Sequence, residues 1–89
     1  MKAIITVVGK DQVGIIASVC GEISQRNVNV LDISQTILQD YFTMVMLVDV
    51  SKCTIPFAQL AQELADSGKE RSLDIRVQRE DIFNAMHRI

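Results

Sequence analysis

The chain has 89 residues, a formal net charge of −2 and 48% apolar side chains, enough for one small domain with a single core and not for two. A pI near 5.2 and the lack of any Lys/Arg cluster argue against a nucleic-acid groove, and three Phe, one Tyr and no Trp leave few surfaces for stacking bases. The first apolar run, Ala3 to Val8, is too short for a signal-peptide core or a membrane span. Cys20 and Cys53 form no C-x-x-C, which points to a reducing cytoplasm with no disulfide.

Lys2–Val8 is β-branched and apolar at both parities, as a central strand should be. Gly9-Lys10-Asp11-Gln12-Val13-Gly14 reads as the loop that ends it. Ile15, Ile16, Val19, Cys20 and Ile23 then fall on one helical face, with Ser18, Glu22 and Gln25 opposite. Arg26-Asn27 suits the end of that helix, since Asn tolerates a left-handed residue. Val28–Gln39 alternates, Asn29, Leu31, Ile33, Gln35 and Ile37 against Val28, Val30, Asp32, Ser34, Thr36 and Leu38. Asp40-Tyr41 is read as a turn into a second β-rich run, Phe42–Val50, making an antiparallel hairpin.

Pro56 sits near a first helical turn, where its missing N–H does no harm. Phe57, Leu60, Ala61, Leu64 and Ala65 form the clearest helical stripe in the chain, and Gly68 is expected to end it. Leu73, Ile75 and Val77 alternate with Asp74, Arg76 and Gln78, a strand with one wet face at a sheet edge. Ile82, Phe83 and Met86 resume helical spacing, so Glu80–Ile89 is expected to form a terminal helix, with Asp81 capping it. The fold class is therefore α+β, a ferredoxin-like βαββαβ with a four-stranded antiparallel sheet. Strands one and three lie centrally, both long helices cover one face, and the extra helix follows. Thr6, Val8, Val45 and Leu47 leave the other face without a polar character, so that face is expected to be covered too, by a partner chain's sheet, helices or strand pairing, or in part by the terminal helix. The positive mean hydropathy, +0.22, agrees.

The segment Gly9–Gly14 carries the most chemistry. Gly14 opens the helix, where unpaired N–H groups attract a carboxylate or phosphate. Asp11 and Gln12 add acceptors for an ammonium, so the corner complements both ends of an amino acid. The plainer alternative is that Asp11 caps the helix and Gly14 permits close packing. No K-[ST] pair follows the second glycine and no G-x-G-x-x-G is present, so phosphate transfer is not expected.

Val7-Val8-Gly9-Lys10-Asp11-Gln12-Val13-Gly14-Ile15-Ile16-Ala17, followed by Asn27-Val28-Asn29-Val30-Leu31-Asp32-Ile33-Ser34-Gln35, resembles an ACT domain across essentially the whole chain, 1–89. The run Leu31–Gln39 with Asp40-Tyr41-Phe42-Thr43-Met44 is similar to stand-alone single-ACT proteins of an uncharacterised family, related to ACT modules of the glycine-cleavage repressor. The resemblance implies a regulatory module that binds an amino acid or similar effector between paired domains. It places the ligand against Asp11, Gln12, Val13 and Gly14, with Asn29 supplied across the interface. Many ACT domains carry Asn at the position of Asp11 and Pro at that of Val13; the acidic residue here favours a cationic group nearby.

Other constellations carry less. His87 has no carboxylate or Cys at a zinc or dyad spacing. Cys20 reads as core and Cys53 as a loop thiol. Lys10 reads as solvated, Asp32 and Ser34 as a solvent face, and Met44 and Met46 as core. No base, nucleophile and oxyanion site converge, so neither an enzyme nor a cofactor or metal is expected. The rival chemistries of a βαββαβ fold fail at their own positions: no Arg in the loop after strand one, no paired strand aromatics, no Cys in that loop. Two functions remain: a homodimeric (or larger) effector-binding regulatory module, or a structural, protein-interaction ACT unit that binds no ligand.

Overall fold

The computed structural model describes residues 1–10 and 12–81. The chain runs β1 (Lys2–Lys10), α1 (Ile15–Gln25), β2 (Asn29–Leu38), β3 (Tyr41–Asp49), α2 (Phe57–Glu70) and β4 (Leu73–Arg79). The four strands form one sheet in the order β2-β3-β1-β4, with every neighbouring pair antiparallel. This is the ferredoxin-like βαββαβ arrangement, with β1 and β3 central as expected. Of the expected terminal helix only Glu80 and Asp81 are described, and Asp81 pairs with Arg79 at 3.1 Å; residues 82–89, His87 among them, lie outside the described part.

Register shows which side chains the helices cover. Ile5 opposes Met46 and Val77, and Val7 opposes Met44 and Ile75; residues directly opposite share a face. Ala3, Ile5, Val7, Phe42, Met44, Met46, Val48, Leu73 and Ile75 are buried there, beneath Ile15, Val19 and Ile23 of α1 and Leu60 and Leu64 of α2. Met44 and Met46 are core, and Cys20 and Cys53 are free thiols packed at its margin. On the other face Ile4, Thr6 and Val8 of β1 lie beside Leu47, Val45 and Thr43 of β3, and Val8 keeps 39% of its surface exposed.

Four local expectations are corrected. β1 continues to Lys10 rather than stopping at Val8: Gly9 pairs with both Phe42 and Leu73, and a Cβ there would come 2.6 Å from the Leu73 side chain. Gly9 thus belongs to the sheet and gives Leu73 room to pack. The turn of the hairpin is Gln39-Asp40, with Gln39 at φ 56, and Tyr41 already pairs with Leu38. Gly68 does not end α2. It is buried within the helix, where a Cβ would lie 2.8 Å from the Leu73 carbonyl, and the chain turns instead at Ser72, φ 60. Lastly, the register of β2 slips between Val30 and Asp32, so Leu31 is a bulge residue. Val30 and Ile33 therefore share the helix-facing side, and the uninterrupted alternation read from sequence is broken.

The loops hold the helices to this frame. Asn27 takes the left-handed conformation, φ 60, as its position after Arg26 suggests. The Arg26 guanidinium donates to the Glu22 carbonyl at 2.7 Å and to Glu63 of α2 at 2.9 Å. Ser67 donates to Glu22 between the same helices. Hydrogen bonds from Gln59 and then Arg26 hold the Glu63 carboxyl below the usual carboxylate range.

Candidate functional site

β1 ends at Lys10, and α1 begins after Gly14. Gly14 is the N-cap at φ 87, with no side-chain cap bond. The first intrahelical bond reaches its carbonyl from Ser18 N at 2.9 Å, so the N–H groups of Ile15, Ile16 and Ala17 have no partner one turn back. They form a small positive terminus. Nothing lies within 4 Å of a Cβ built on Gly14. Close packing is therefore not what requires glycine here; the left-handed backbone is.

Beside this corner is an open cleft of about 470 Å³, lined by Gln12, Gly14, Ile15, Ile16, Ala17, Gln35, Ile37 and Phe42. It exists because β2 extends along β3 past the cover of α1. Ile37 opposes Phe42, and Phe42 opposes Gly9, so the far end of the hairpin stands next to the loop that follows β1. Ile16 and Ile37 remain 39% and 57% exposed at the rim. The lining is apolar apart from two glutamines and the amides, and no described lining residue carries a charge.

Of the residues expected at a site, Gln12 and Gly14 line the cleft. Gln12 also donates from Nε2 to the Arg71 carbonyl at 3.0 Å, which ties the loop to the end of α2. Val13 points away from it, fully exposed, and is not among the lining residues. Asp11 lies outside the described residues. Asn29 stands at the opposite end of β2, paired with Asp49, where it lines a second, polar cleft with Ser24, Asn27, Val28, Asp49 and Lys52. Within one chain, then, Asn29 and Gly14 do not meet. Sequence reading missed Gln35, Ile37 and Phe42; the signal for them was the hairpin pairing itself, once Phe42 is set opposite Gly9.

The electrostatics near the second cleft are those of Asp49. Its Oδ1 accepts from the Ser51 backbone at 2.9 Å and the Ser51 hydroxyl at 2.6 Å, with the Met1 ammonium 3.6 Å away. The Ser51 bonds, the hydroxyl's foremost, hold its carboxyl below the ordinary range. Among the described residues no group of His, Cys, Asp and Glu is placed to hold a metal ion, and no helix is long and apolar enough to cross a membrane.

The ACT domain family model matches residues 2–78. The chain belongs to the ACT domain family. A UPF0237 protein of Clostridium perfringens is 55% identical over 89 residues, covering all of both chains. The solved ACT domain protein of Streptococcus pneumoniae is 46% identical, with a TM-score of 0.82 over 93% of each chain. A structure ascribed to a glycine cleavage system transcriptional repressor shares the fold at 24% identity and a TM-score of 0.73, over 86% of this chain and 44% of its own. The resemblance to stand-alone ACT proteins read from the sequence is thus matched along the whole chain, and the repressor structure shares the fold.

Proposed function

We propose that the protein is a regulatory ACT module that binds a small effector, an amino acid, in the cleft at Gly14 and acts as a homodimer. The observation that carries this reading is the cleft itself: uncapped helix amides at one end and an aliphatic wall of Ile15, Ile16 and Ile37 along the side. An amino-acid carboxylate suits the amides, and an apolar side chain suits the wall. Asp11 and Gln12 would take the ammonium, with Val13 closing the loop from outside.

The dimer supplies what one chain lacks. β2 is an edge strand with unpaired backbone groups on its outer side, and Leu31, Ile33, Ile37 and Leu38 are exposed along it. Antiparallel addition of a second copy to that edge brings the second copy's Asn29 end beside the Ile37 end of the first, and so toward Gly14. Effector held across the seam then shifts the association equilibrium by its differential affinity.

A thermal-shift panel of the twenty amino acids tests the reading. An effector at 100 times its Kd stabilises the fold by about 2.7 kcal/mol. Gly14→Val forces a β-branched residue into the left-handed region at a cost of roughly 1–2 kcal/mol and abolishes the response, while Gly14→Asn retains it. No response from any amino acid, with self-association intact, would leave the protein-interaction unit as the better description.

A further inference from the structure

The sheet face turned away from α1 and α2 is not equally bare along its length. One row across it joins Gln78 of β4, Ile4 of β1 and Leu47 of β3. Ile4 there keeps only 9% of its surface, and Gln78 and Leu47 are half-buried. Further along the same strands the row is Asp74, Val8 and Thr43, with Val8 at 39% and Asp74 exposed. Ile4 is no part of the core beneath the two helices, so α1 and α2 do not account for its burial.

The covered row is the one at which the chain leaves the sheet. β4 ends at Arg79, one residue past Gln78, and Glu80 and Asp81 are already helical. The sequence beyond them sets Ile82, Phe83, Ala85, Met86 and Ile89 on one side of a helix and Asn84, His87 and Arg88 on the other. So short a helix depends on an apolar surface to lie against, and the surface beside it carries Ile4, Val45 and Leu47. The lengths agree. A helix rises about 1.5 Å per residue and strands lie about 4.8 Å apart. Phe83 therefore falls roughly one strand in from Glu80, over β1, and Met86 roughly two, over β3.

We propose that residues 82–89 form an amphipathic helix laid across this face, with Phe83 on Ile4 and Met86 on Leu47 and Val45. The occupant of the face is the chain's own end. The consequence concerns association: a second copy can then meet the molecule along a sheet edge, but not sheet on sheet. This cover stands whether or not the Gly14 cleft takes an effector or β2 pairs with a partner.

Nuclear Overhauser contacts in the full chain, labelled at its Ile, Leu, Val and Met methyl groups, test it. The Ile4 and Leu47 methyls should contact the Phe83 ring and the Met86 methyl. These contacts should be absent from an isotope-filtered spectrum of mixed labelled and unlabelled protein, which retains only contacts between copies. Phe83→Ser should remove them and speed amide exchange at residues 84–89 at least tenfold, while the Ile5 and Val7 methyls on the helix side stay in place. The proposal is overturned if Ile4 makes no contact with residues 82–89, or if Phe83→Ser leaves their exchange unchanged. It is also overturned if the contacts of Ile4 survive in the filtered spectrum, which would give the face to a second copy.

Discussion

The two edges of the sheet are finished differently. β4 is seven residues long, and its inward side chains Leu73 and Ile75 are buried beneath α2. β2 is ten residues long and exposed at every position but Val30, which packs against the core; among the described strands it pairs with β3. Among the described residues α2 buries the inner face of β4, whereas the inner face of β2 past Val30 stays exposed, and neither strand has a strand neighbour on its outer side. The longer of the two bare edges, β2, is the one whose side chains also lack cover, which makes it the stronger invitation to pairing.

The sharpest way to break this contrast is to truncate one inward residue on each edge. Ile75→Ala should lower unfolding free energy by about 2–4 kcal/mol, whereas Ile37→Ala should stay within roughly 1 kcal/mol, both read from urea denaturation. Equal losses would mean that β2 is packed as firmly as β4. Next in size is a pair of helical glycines. Gly68→Ala places a methyl against backbone and Ile75, and should cost about 1–3 kcal/mol. Gly21, with nothing within 4 Å of its Cβ position, should gain about 0.5–1 kcal/mol when made Ala. A gain at both would show that the β4 turn yields easily.

Ile33→Lys probes the open edge in its proposed role. Sedimentation should show weaker self-association, while the monomer's stability moves by less than about 0.5 kcal/mol. An unchanged association constant would place the dimer elsewhere. The smallest effect expected is that of pH. Glu63 and Asp49 have lowered pKa values in the fold, so their contribution is present above the ordinary carboxylate range and is lost as pH falls through and below about 4. Both are solvent-facing, so acid melting curves of Glu63→Gln should lose only a slight part of that slope; a slope unchanged from the parent would remove the Arg26–Glu63 tie from the account.

What could be read in the sequence follows the range of the interactions. The stripe Phe57, Leu60, Leu64 and the alternation Leu73, Ile75, Val77 are local periods, and each became the element it suggested. Gly14 and Asn27 were legible as turning points because left-handed backbone favours those residue types. Gly9 and Gly68 were misread as punctuation because their reason is a distant neighbour, Leu73 and its turn. The bulge at Leu31 left no trace in a pattern that keeps alternating. For the cleft, the loop residues Gln12 and Gly14 were visible, but Gln35, Ile37 and Phe42 reach it only through hairpin register. Asn29 was expected beside the loop and stands at the far end of its strand, since a single chain does not contain the neighbour invoked to bring it there.

The extra residue at Leu31 works like a stop on a sliding rail. For the proposed second copy, β2 offers regular spacing from Asp32 to Leu38, and a twofold axis centred on that stretch would pass beside Gln35. Ile33 of each molecule would then face Ile37 of the other. In the dimer proposed above, sliding by two residues in either direction would drive the ladder into the kink or off the hairpin's end, so one alignment would be selected without any dedicated contact, and the relative position of the two Gly14 corners would be fixed with it.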